Sequence, residues 1–172
     1  MQGRVKQLRM SFGLDQRGFA ELVGRPVTEI AAWEKPDVSP SAEDLALLEA
    51  RFGVSPRWLA GDEVPIWSAR VLELREWLGA QVRTLSGSRL VTMISATTGE
   101  RISYTINLMR KKDPQLFVLE VVACWLGLTA GSTELLLRGE LDPGSPVIAR
   151  ASDLTGISER WFRMGPVDQL RT

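Results

Sequence analysis

Residues 14–36 read LDQRGFAELVGRPVTEIAAWEKP, and the helix signals in this segment determine how the first part of the chain folds. Asp15 predicts the N-cap of a helix, because its carboxylate can accept backbone amides of the first turn. Gly24 breaks that helix. Pro26 suits the start of a second helix, where its missing amide costs nothing, and Pro36 ends it. The stretch therefore predicts two short helices joined by a tight turn.

Three further helices are predicted around this pair. Residues 4–10 have the apolar spacing of a helix, which Gly13 closes. SPSAEDLALLEARFG, residues 39–53, begins with capping serines and early acids and carries an apolar stripe. SPRWLAG, residues 55–61, makes a short fifth helix. Together these segments predict a five-helix domain over residues 1–62.

The segments RVKQLR, GLDQ, SPSAEDLALL and GVSPRWLAG, together with the spacing from Gly24 through Ile30 to Trp33 and Glu34, carry a family resemblance. In order and spacing they resemble the phage-repressor-like (Xre) helix-turn-helix family over residues 4–61. The resemblance implies a domain that binds double-stranded DNA. Its second helix lies over the DNA backbone, and its third enters the major groove.

The resemblance also implies roles for individual residues. Gln16 falls where the family places a glutamine on a phosphate, and Arg9 with Glu34 matches a family ion pair between the first and third helices. Base contacts are expected from the third helix, and phosphate contacts from the residues around it. The predicted DNA-binding residues are Gln16, Arg17, Arg25, Val27, Thr28, Glu29, Ala32 and Lys35.

The predicted recognition helix, VTEIAA, lacks the side chains with which other recognition helices bind bases strongly. It has no Arg, Asn or Gln that could grip a base edge with two hydrogen bonds. Readout is expected to rest on thymine methyls, on Arg25 and on DNA shape, with weak specificity. Alternatively, Glu29 accepts a hydrogen bond from a cytosine amino group.

A second copy of the same segment is predicted 103 residues further along the chain. A constant offset over four separate segments favours duplication over coincidence, and a duplication predicts two related small helical domains. The recurring residues of the first copy are Gly24, Pro40, Ala46, Gly53, Ser55, Arg57 and Trp58, which reappear as Gly127, Pro143, Ala149, Gly156, Ser158, Arg160 and Trp161.

The second copy, predicted over residues 107–172, is degenerate. At the position of Gln16 it has Leu119, and at the position of Glu34 it has Leu137. Two interpretations stay open: a second DNA-binding surface, so that one chain spans two half-sites, or a packing or dimerisation module, which is slightly favoured. The predicted surface comprises Thr129, Ser132, Thr133 and Arg138.

Residues 63–106, between the copies, predict a linker helix and a β-hairpin. From Pro65 to Ser86 apolar residues recur at steps of three and four, which is typical of a long amphipathic helix that Gly87 ends. SRLVTMISA and RISYTINL alternate around TTGE, a pattern typical of a hairpin. A lone hairpin is marginal in water, so we expect it to pack on a helix or to pair with another chain in a dimer.

Composition limits the function classes. The 172 residues carry 21 basic and 21 acidic side chains and no histidine, so histidine-based catalysis and zinc sites lose their usual ligands. The single cysteine, Cys124, allows no internal disulfide. We expect no cofactor, no metal and no enzyme activity. The lack of a secretory signal or a bilayer-spanning run predicts a cytoplasmic protein.

These observations predict a mainly α protein that acts as a sequence-specific DNA-binding transcriptional regulator, most simply a repressor. Its expected partner is double-stranded DNA, bound by a homodimer or by a monomer with two tandem readers. The alternative is an antitoxin or adaptor whose helix-turn-helix scaffold binds another protein, which the neutral net charge and the mild recognition helix favour.

Overall fold

The computed structural model describes residues 3–167, which divide into two compact units, one ending at Leu72 and one beginning at Glu73. Within the described residues all regular elements are helices. These are α1 Arg4–Ser11, α2 Gln16–Val23, α3 Val27–Trp33, α4 Ala42–Phe52, α5 Pro56–Leu59, α6 Ala69–Arg83, α7 Gly87–Ser95, α8 Thr98–Lys112, α9 Leu119–Leu126, α10 Ala130–Leu137, α11 Ser145–Thr155 and α12 Glu159–Met164. The division between the units falls within α6.

The five helices predicted for the first unit are present as α1 to α5. The Asp15 side chain accepts the amide of Gly18 at 2.7 Å, and the Ser41 side chain accepts the amide of Asp44, so both predicted caps form. Gly24 ends α2 with a φ of 77°, a left-handed conformation that favours glycine. The turn between α2 and α3 therefore forms where the sequence predicts it.

A cluster of three phenylalanines forms the centre of the first unit. Phe19 and Phe52 stack with ring centroids 5.6 Å apart, and Phe12 lies 5.5 Å from Phe52. Ile30 and Trp33, on the inner face of α3, are buried in the same unit. Burial of this apolar area holds the short helices together, since none is long enough to be stable alone.

A helix forms within the segment predicted as a linker helix, as α6, and the apolar stripe predicted for that segment is buried. The helix ends at Arg83 rather than at Gly87, because Gly87 is instead the first residue of α7. The stripe residues, each at most 9% exposed, are Trp67, Val71, Leu74, Leu78, Val82 and Leu85.

The predicted β-hairpin is wrong, because its two segments form α7 and α8. The residues interpreted as its turn, TTGE, form a capping box in which Thr97 accepts the amide of Glu100 and the Glu100 carboxylate accepts the amide of Thr97. Ile102, Ile106 and Met109 are buried at helical spacing. The hairpin that was expected to pair with another chain in a dimer is therefore absent from the described residues.

Helices of the second unit recur at the predicted offset. Relative to α2 and α4, helices α9 and α11 begin and end 103 residues later. Gly127 and Gly156 end them in the left-handed conformation, as Gly24 and Gly53 do in the first unit. These two pairs of helices share the offset, and a second copy of the domain stays a prediction.

A buried arginine joins three helices of the second unit. Arg101 of α8 is 4% exposed and donates to the carbonyls of Met93 and Ile94 in α7 and of Phe162 and Arg163 in α12, at 2.8 to 3.0 Å. Carbonyls at helix C-terminal ends carry partial negative charge. They surround the guanidinium with acceptors in place of a carboxylate.

Among residues 3–167, no single helix is long and apolar enough to cross a membrane. The pair formed by α9 and α10 reaches that length only jointly, across a bend of 97°. Val121, Val122 and Leu126 of α9 are buried within the protein. Their apolar character is therefore accounted for by the core.

Candidate nucleic-acid interface

Three side chains tie α1, α2 and α3 of the first unit together. Arg9 contacts both carboxylate oxygens of Glu34, with Nε 2.5 Å from Oε1 and the terminal nitrogen 3.1 Å from Oε2. The Gln16 amide donates to the same Oε2 at 2.9 Å. Arg9 also donates to the carbonyl of Leu14 at 2.7 Å. The predicted Arg9–Glu34 ion pair is confirmed, and Gln16 belongs to its network.

This network keeps both charged groups ionised. Burial opposes ionisation of Glu34, but the hydrogen bonds from Arg9 and Gln16 outweigh it and hold the pKa of Glu34 below its usual value. The hydrogen bond to Glu34 raises the pKa of Arg9, and burial partly offsets it. The side chains are only 13% and 6% exposed, so the pair is screened little by solvent.

Gln16 lies at the first position of α2, next to the N-cap, and is half-buried. Its amide nitrogen carries two hydrogens, of which Glu34 takes one. The other can donate to a phosphate oxygen. At this end of α2 the Gly18 amide is already bound by the Asp15 carboxylate, so the Gln16 side chain is the donor offered to a phosphate.

The predicted cations differ in what they contact. Arg17 is 81% exposed and pairs with Glu21 at 3.4 Å, a surface contact that a phosphate can readily replace. Arg25 is only 29% exposed and contacts Asp44 at 2.7 Å and Glu43 at 3.7 Å, both in the first turn of α4. Arg25 therefore joins the turn after α2 to α4.

The exposed face of α3 is small and mostly uncharged. Val27 is 41% exposed, Thr28 and Glu29 are exposed, and Ala32 is half-buried. Lys35, just beyond the helix, is exposed. Val27, Thr28 and Glu29 are therefore on the surface of α3, while Ile30 and Trp33 face the core.

Residues 5–59 match the Helix-turn-helix family. They form a helix-turn-helix domain. Within that domain α2 and α3 are the two helices that give the family its name, and Gly24 lies in the turn between them. The family is a DNA-binding regulatory one. Comparisons with curated proteins and with solved structures give no match for the chain.

The carboxylates beside the helix-turn-helix cations were missed in the sequence. The acids in the first turn of α4 predicted only a favourable interaction with the helix dipole, yet Asp44 also binds Arg25 across the domain. Asp62 likewise binds Arg57 at 2.8 Å. Four arginines of the domain therefore contact carboxylates of the same chain, namely Arg9, Arg17, Arg25 and Arg57.

The predicted second DNA-binding surface is only partly exposed. Thr133 is completely buried and donates its hydroxyl to the carbonyl of Thr129, so it belongs to the core. The Thr129 hydroxyl accepts the amide of Ser132 as the N-cap of α10. Arg138 is 62% exposed and lies 3.8 Å from Glu134. Arg138 is thus the one cation in this predicted set.

The described part of the chain contains no candidate metal site, and its one cysteine is not an activated thiol. Residues 3–167 contain no cluster of three or more His, Cys, Asp or Glu side chains placed to hold a metal ion. Cys124 of α9 is half-buried, and burial, with a smaller contribution from Glu120, raises the pKa of its thiol above the usual value. A raised pKa makes this thiol a poor nucleophile.

Proposed function

We propose that this chain is a sequence-specific DNA-binding transcriptional regulator that acts in the cytoplasm as a repressor, without catalysis. The observation that carries the proposal is the matched domain, in which Gln16 at the start of α2 is hydrogen-bonded to Glu34 at the end of α3. A repressor of this kind occupies its operator and excludes polymerase. No cofactor is part of the mechanism.

Docking begins with the phosphate backbone. The Gln16 side chain binds one phosphate, Arg17 exchanges Glu21 for a phosphate oxygen, and Lys35, just after α3, binds another phosphate. Arg25 contributes less, because its guanidinium is already held by Asp44. These contacts place α3 in the major groove.

Base reading is then the task of the α3 surface. Val27 and the methyl group of Thr28 suit thymine methyls, and Glu29 suits a cytosine amino group. Each is a single contact, whereas a bidentate pair discriminates by about 1–3 kcal/mol. We therefore expect weak specificity from one domain and useful affinity only from two half-sites.

A second candidate function is a protein-interaction module, as in an antitoxin or adaptor. It is favoured by the carboxylates that neutralise four arginines of the domain, because they reduce the positive surface that DNA requires. The two functions differ in their response to salt. A phosphate-bound complex weakens steeply as salt rises, whereas an apolar protein interface responds little.

The deciding experiment is selection of bound duplexes from a random DNA pool by the purified chain, followed by salt titration of the enriched sequence. We expect an enriched sequence whose affinity falls with salt in proportion to the number of phosphates bound. Absence of enrichment at low salt overturns DNA recognition and leaves the protein-interaction candidate.

The site assignment is tested with Gln16→Ala and Lys35→Ala on that enriched duplex. Each should weaken binding about ten-fold, which corresponds to about 1.4 kcal/mol, and Lys35→Ala should lower the salt slope by about one. Gln81→Ala and Lys111→Ala are the matched controls, since both residues are exposed and lie in the second unit. Equal affinities of all four variants would contradict the assignment.

A further inference from the structure

A cleft in the first unit, the α1–α5 cleft, lies beside the end of α3. It is lined by residues 3–5 at the start of α1, by residues 33, 35 and 36 at the end of α3 and just after it, by residues 38–40 before α4, and by residues 59–61 at the end of α5. Val5, Trp33, Pro40 and Leu59 are buried there, whereas Lys35 is exposed, so the cleft has an apolar floor and a polar rim. Its volume is about 140 Å³.

Both charged residues that line the cleft are cations, Arg4 and Lys35, and the described part of the lining contains no Asp or Glu. Within residues 3–167 the Lys35 side chain makes no hydrogen bond or ion pair. Arg4 donates to the neutral Gln7 at 3.1 Å and lies 5.0 Å from the centre of the Trp58 ring, but in that same range it contacts no carboxylate. The cleft therefore has two cations without a counter-ion.

The acids nearest in the sequence do not supply this counter-ion. Glu34 accepts from Arg9, and Asp62 is bound by Arg57 at 2.8 Å. Asp37 is exposed and does not line the cleft. An anion that complements the two cations must therefore come from a ligand, because the carboxylates of the described chain around the cleft lie outside its lining.

The volume and the walls of the cleft set the size and the polarity of that ligand. An apolar cavity of about 150 Å³ accommodates benzene, so a cleft of about 140 Å³ takes one ring and little more. A ring is stabilised by contact with the buried side chains of Trp33 and Leu59. A carboxylate on that ring stays at the rim, where charge-assisted hydrogen bonds from cations stabilise it. An inorganic phosphate has no apolar part and leaves the floor unfilled.

We propose that the α1–α5 cleft binds a small carboxylate that carries one compact apolar ring. The ring packs against Trp33 and Leu59, and the carboxylate pairs with Lys35 and Arg4. Lys35 is also a phosphate contact in the proposed function, so the ligand and DNA compete for one ammonium group. The ligand therefore acts as an inducer that weakens DNA binding. This regulatory role rests on the proposed function, whereas ligand binding does not.

Ligand binding is tested without DNA by titrating the isotopically labelled full chain with benzoate at constant ionic strength, followed by two-dimensional NMR. The expected dissociation constant is about 1 mM, because a ligand of so few atoms gains little binding free energy. Chemical shifts should change most at the Trp33 indole and at the amides of Ala60 and Gly61, which line the cleft. Benzamide, a neutral molecule of the same shape, and inorganic phosphate should each bind about ten-fold more weakly.

Two variants separate the cation from the apolar floor. Lys35→Ala should weaken benzoate binding about ten-fold, because a charged hydrogen bond is lost, and Lys111→Ala of the second unit is its control. Ala60→Phe should abolish binding by filling the cleft. Ala50→Phe is the matched control, since Ala50 of α4 is exposed and does not line the cleft. Circular dichroism verifies that each variant keeps its helices.

Competition on the selected duplex tests the regulatory role. Saturating benzoate should weaken DNA binding by the factor that Lys35→Ala costs, about ten-fold, because both remove the same phosphate contact. It should have no further effect on Lys35→Ala or on Ala60→Phe. Benzoate that binds in the cleft and leaves DNA affinity unchanged would overturn the inducer role.

The ligand assignment has its own contrary outcomes. Absence of shifts with benzoate, or equal binding of benzamide, would overturn the carboxylate site. Tighter binding of phosphate than of benzoate would show a simple anion site instead and would overturn it as well. A chain that binds benzoate in the cleft but selects no DNA would contradict the proposed function and support the ligand site.

Discussion

Glu34 is the residue on which the helix-turn-helix surface depends most. It accepts from Arg9 of α1 and from Gln16 of α2, so one carboxylate fixes two helices relative to α3. Its oxygens are 2.5 to 3.1 Å from three donor nitrogens. A buried carboxylate with this many donors is stabilising only while all of them are present.

Replacement Glu34→Gln should destabilise the helix-turn-helix domain by about 3 kcal/mol, because it leaves the Arg9 charge without its counter-ion. The folded pKa of Glu34 is below its unfolded value, which is about 4.3 for a glutamate. Its stabilisation is therefore present above that pH and is lost as pH falls through the lower, folded pKa. Urea unfolding at pH 7 and at pH 3 measures both effects.

The control for that prediction is Glu21→Gln, whose ion pair with Arg17 is exposed on both sides. We expect it to change stability by less than about 0.5 kcal/mol, as is usual for surface pairs. A loss in Glu34→Gln no larger than in this control would show that the network contributes no stability.

Single residues also show where sequence reasoning succeeds and fails. The ion pair of Arg9 with Glu34 could be predicted, because the family resemblance supplies both positions. Burial of Thr133 could have been predicted as well, since the offset aligns it with Ile30, a core residue. The contact between Arg25 and Asp44 could not, because nothing in the local sequence indicates which helix a long side chain reaches.

At the scale of elements, α8 shows why the alternation of apolar and polar residues led to the wrong prediction of a hairpin. Ile102, Tyr104 and Ile106 have the period of a strand, but Ile102, Ile106 and Met109 also have that of a helix. The capping box at Thr97 and the long run of helix-compatible residues after it decide between the two. Caps therefore carry more information here than periodicity.

Thr97→Ala should destabilise the second unit by about 1 kcal/mol, because the first turn of α8 loses the acceptor for the Glu100 amide. Thr84→Ala is the matched control: the Thr84 hydroxyl donates to carbonyls at the exposed end of α6 and caps no amide. Thermal unfolding monitored by circular dichroism compares the two. Equal melting temperatures would mean that the cap contributes nothing.

At the scale of the whole molecule, arginines of both units pair with carboxylates, and Arg101 of the second unit differs from them. In the first unit Arg9, Arg17 and Arg25 contact carboxylates, whereas in the second Arg101 is surrounded by helix carbonyls. Burial lowers the pKa of Arg101 below its usual value, yet that value is so high that the group stays charged. The second unit therefore contains a buried cation whose hydrogen bonds are made to backbone carbonyls.

Arg101→Met should destabilise the second unit by more than about 3 kcal/mol, because four carbonyls lose their donor and at least two are buried. DNA affinity of the folded protein should change less than two-fold, because the helix-turn-helix domain lies in the other unit. Arg110→Met is the control, since its guanidinium donates to one carbonyl, that of Phe117. Calorimetry and a binding titration provide the two readouts.

The four backbone carbonyls that accept hydrogen bonds from Arg101 should make its contacts resistant to acid. A carboxylate network loses its ion pairs when the carboxylates are protonated at acidic pH, whereas backbone carbonyls are not protonated at that pH. With no histidine in the chain, the next groups to titrate are carboxylates. Acidification should therefore destabilise the first unit, whose helices Glu34 joins, more than it weakens the contacts of Arg101 in the second unit.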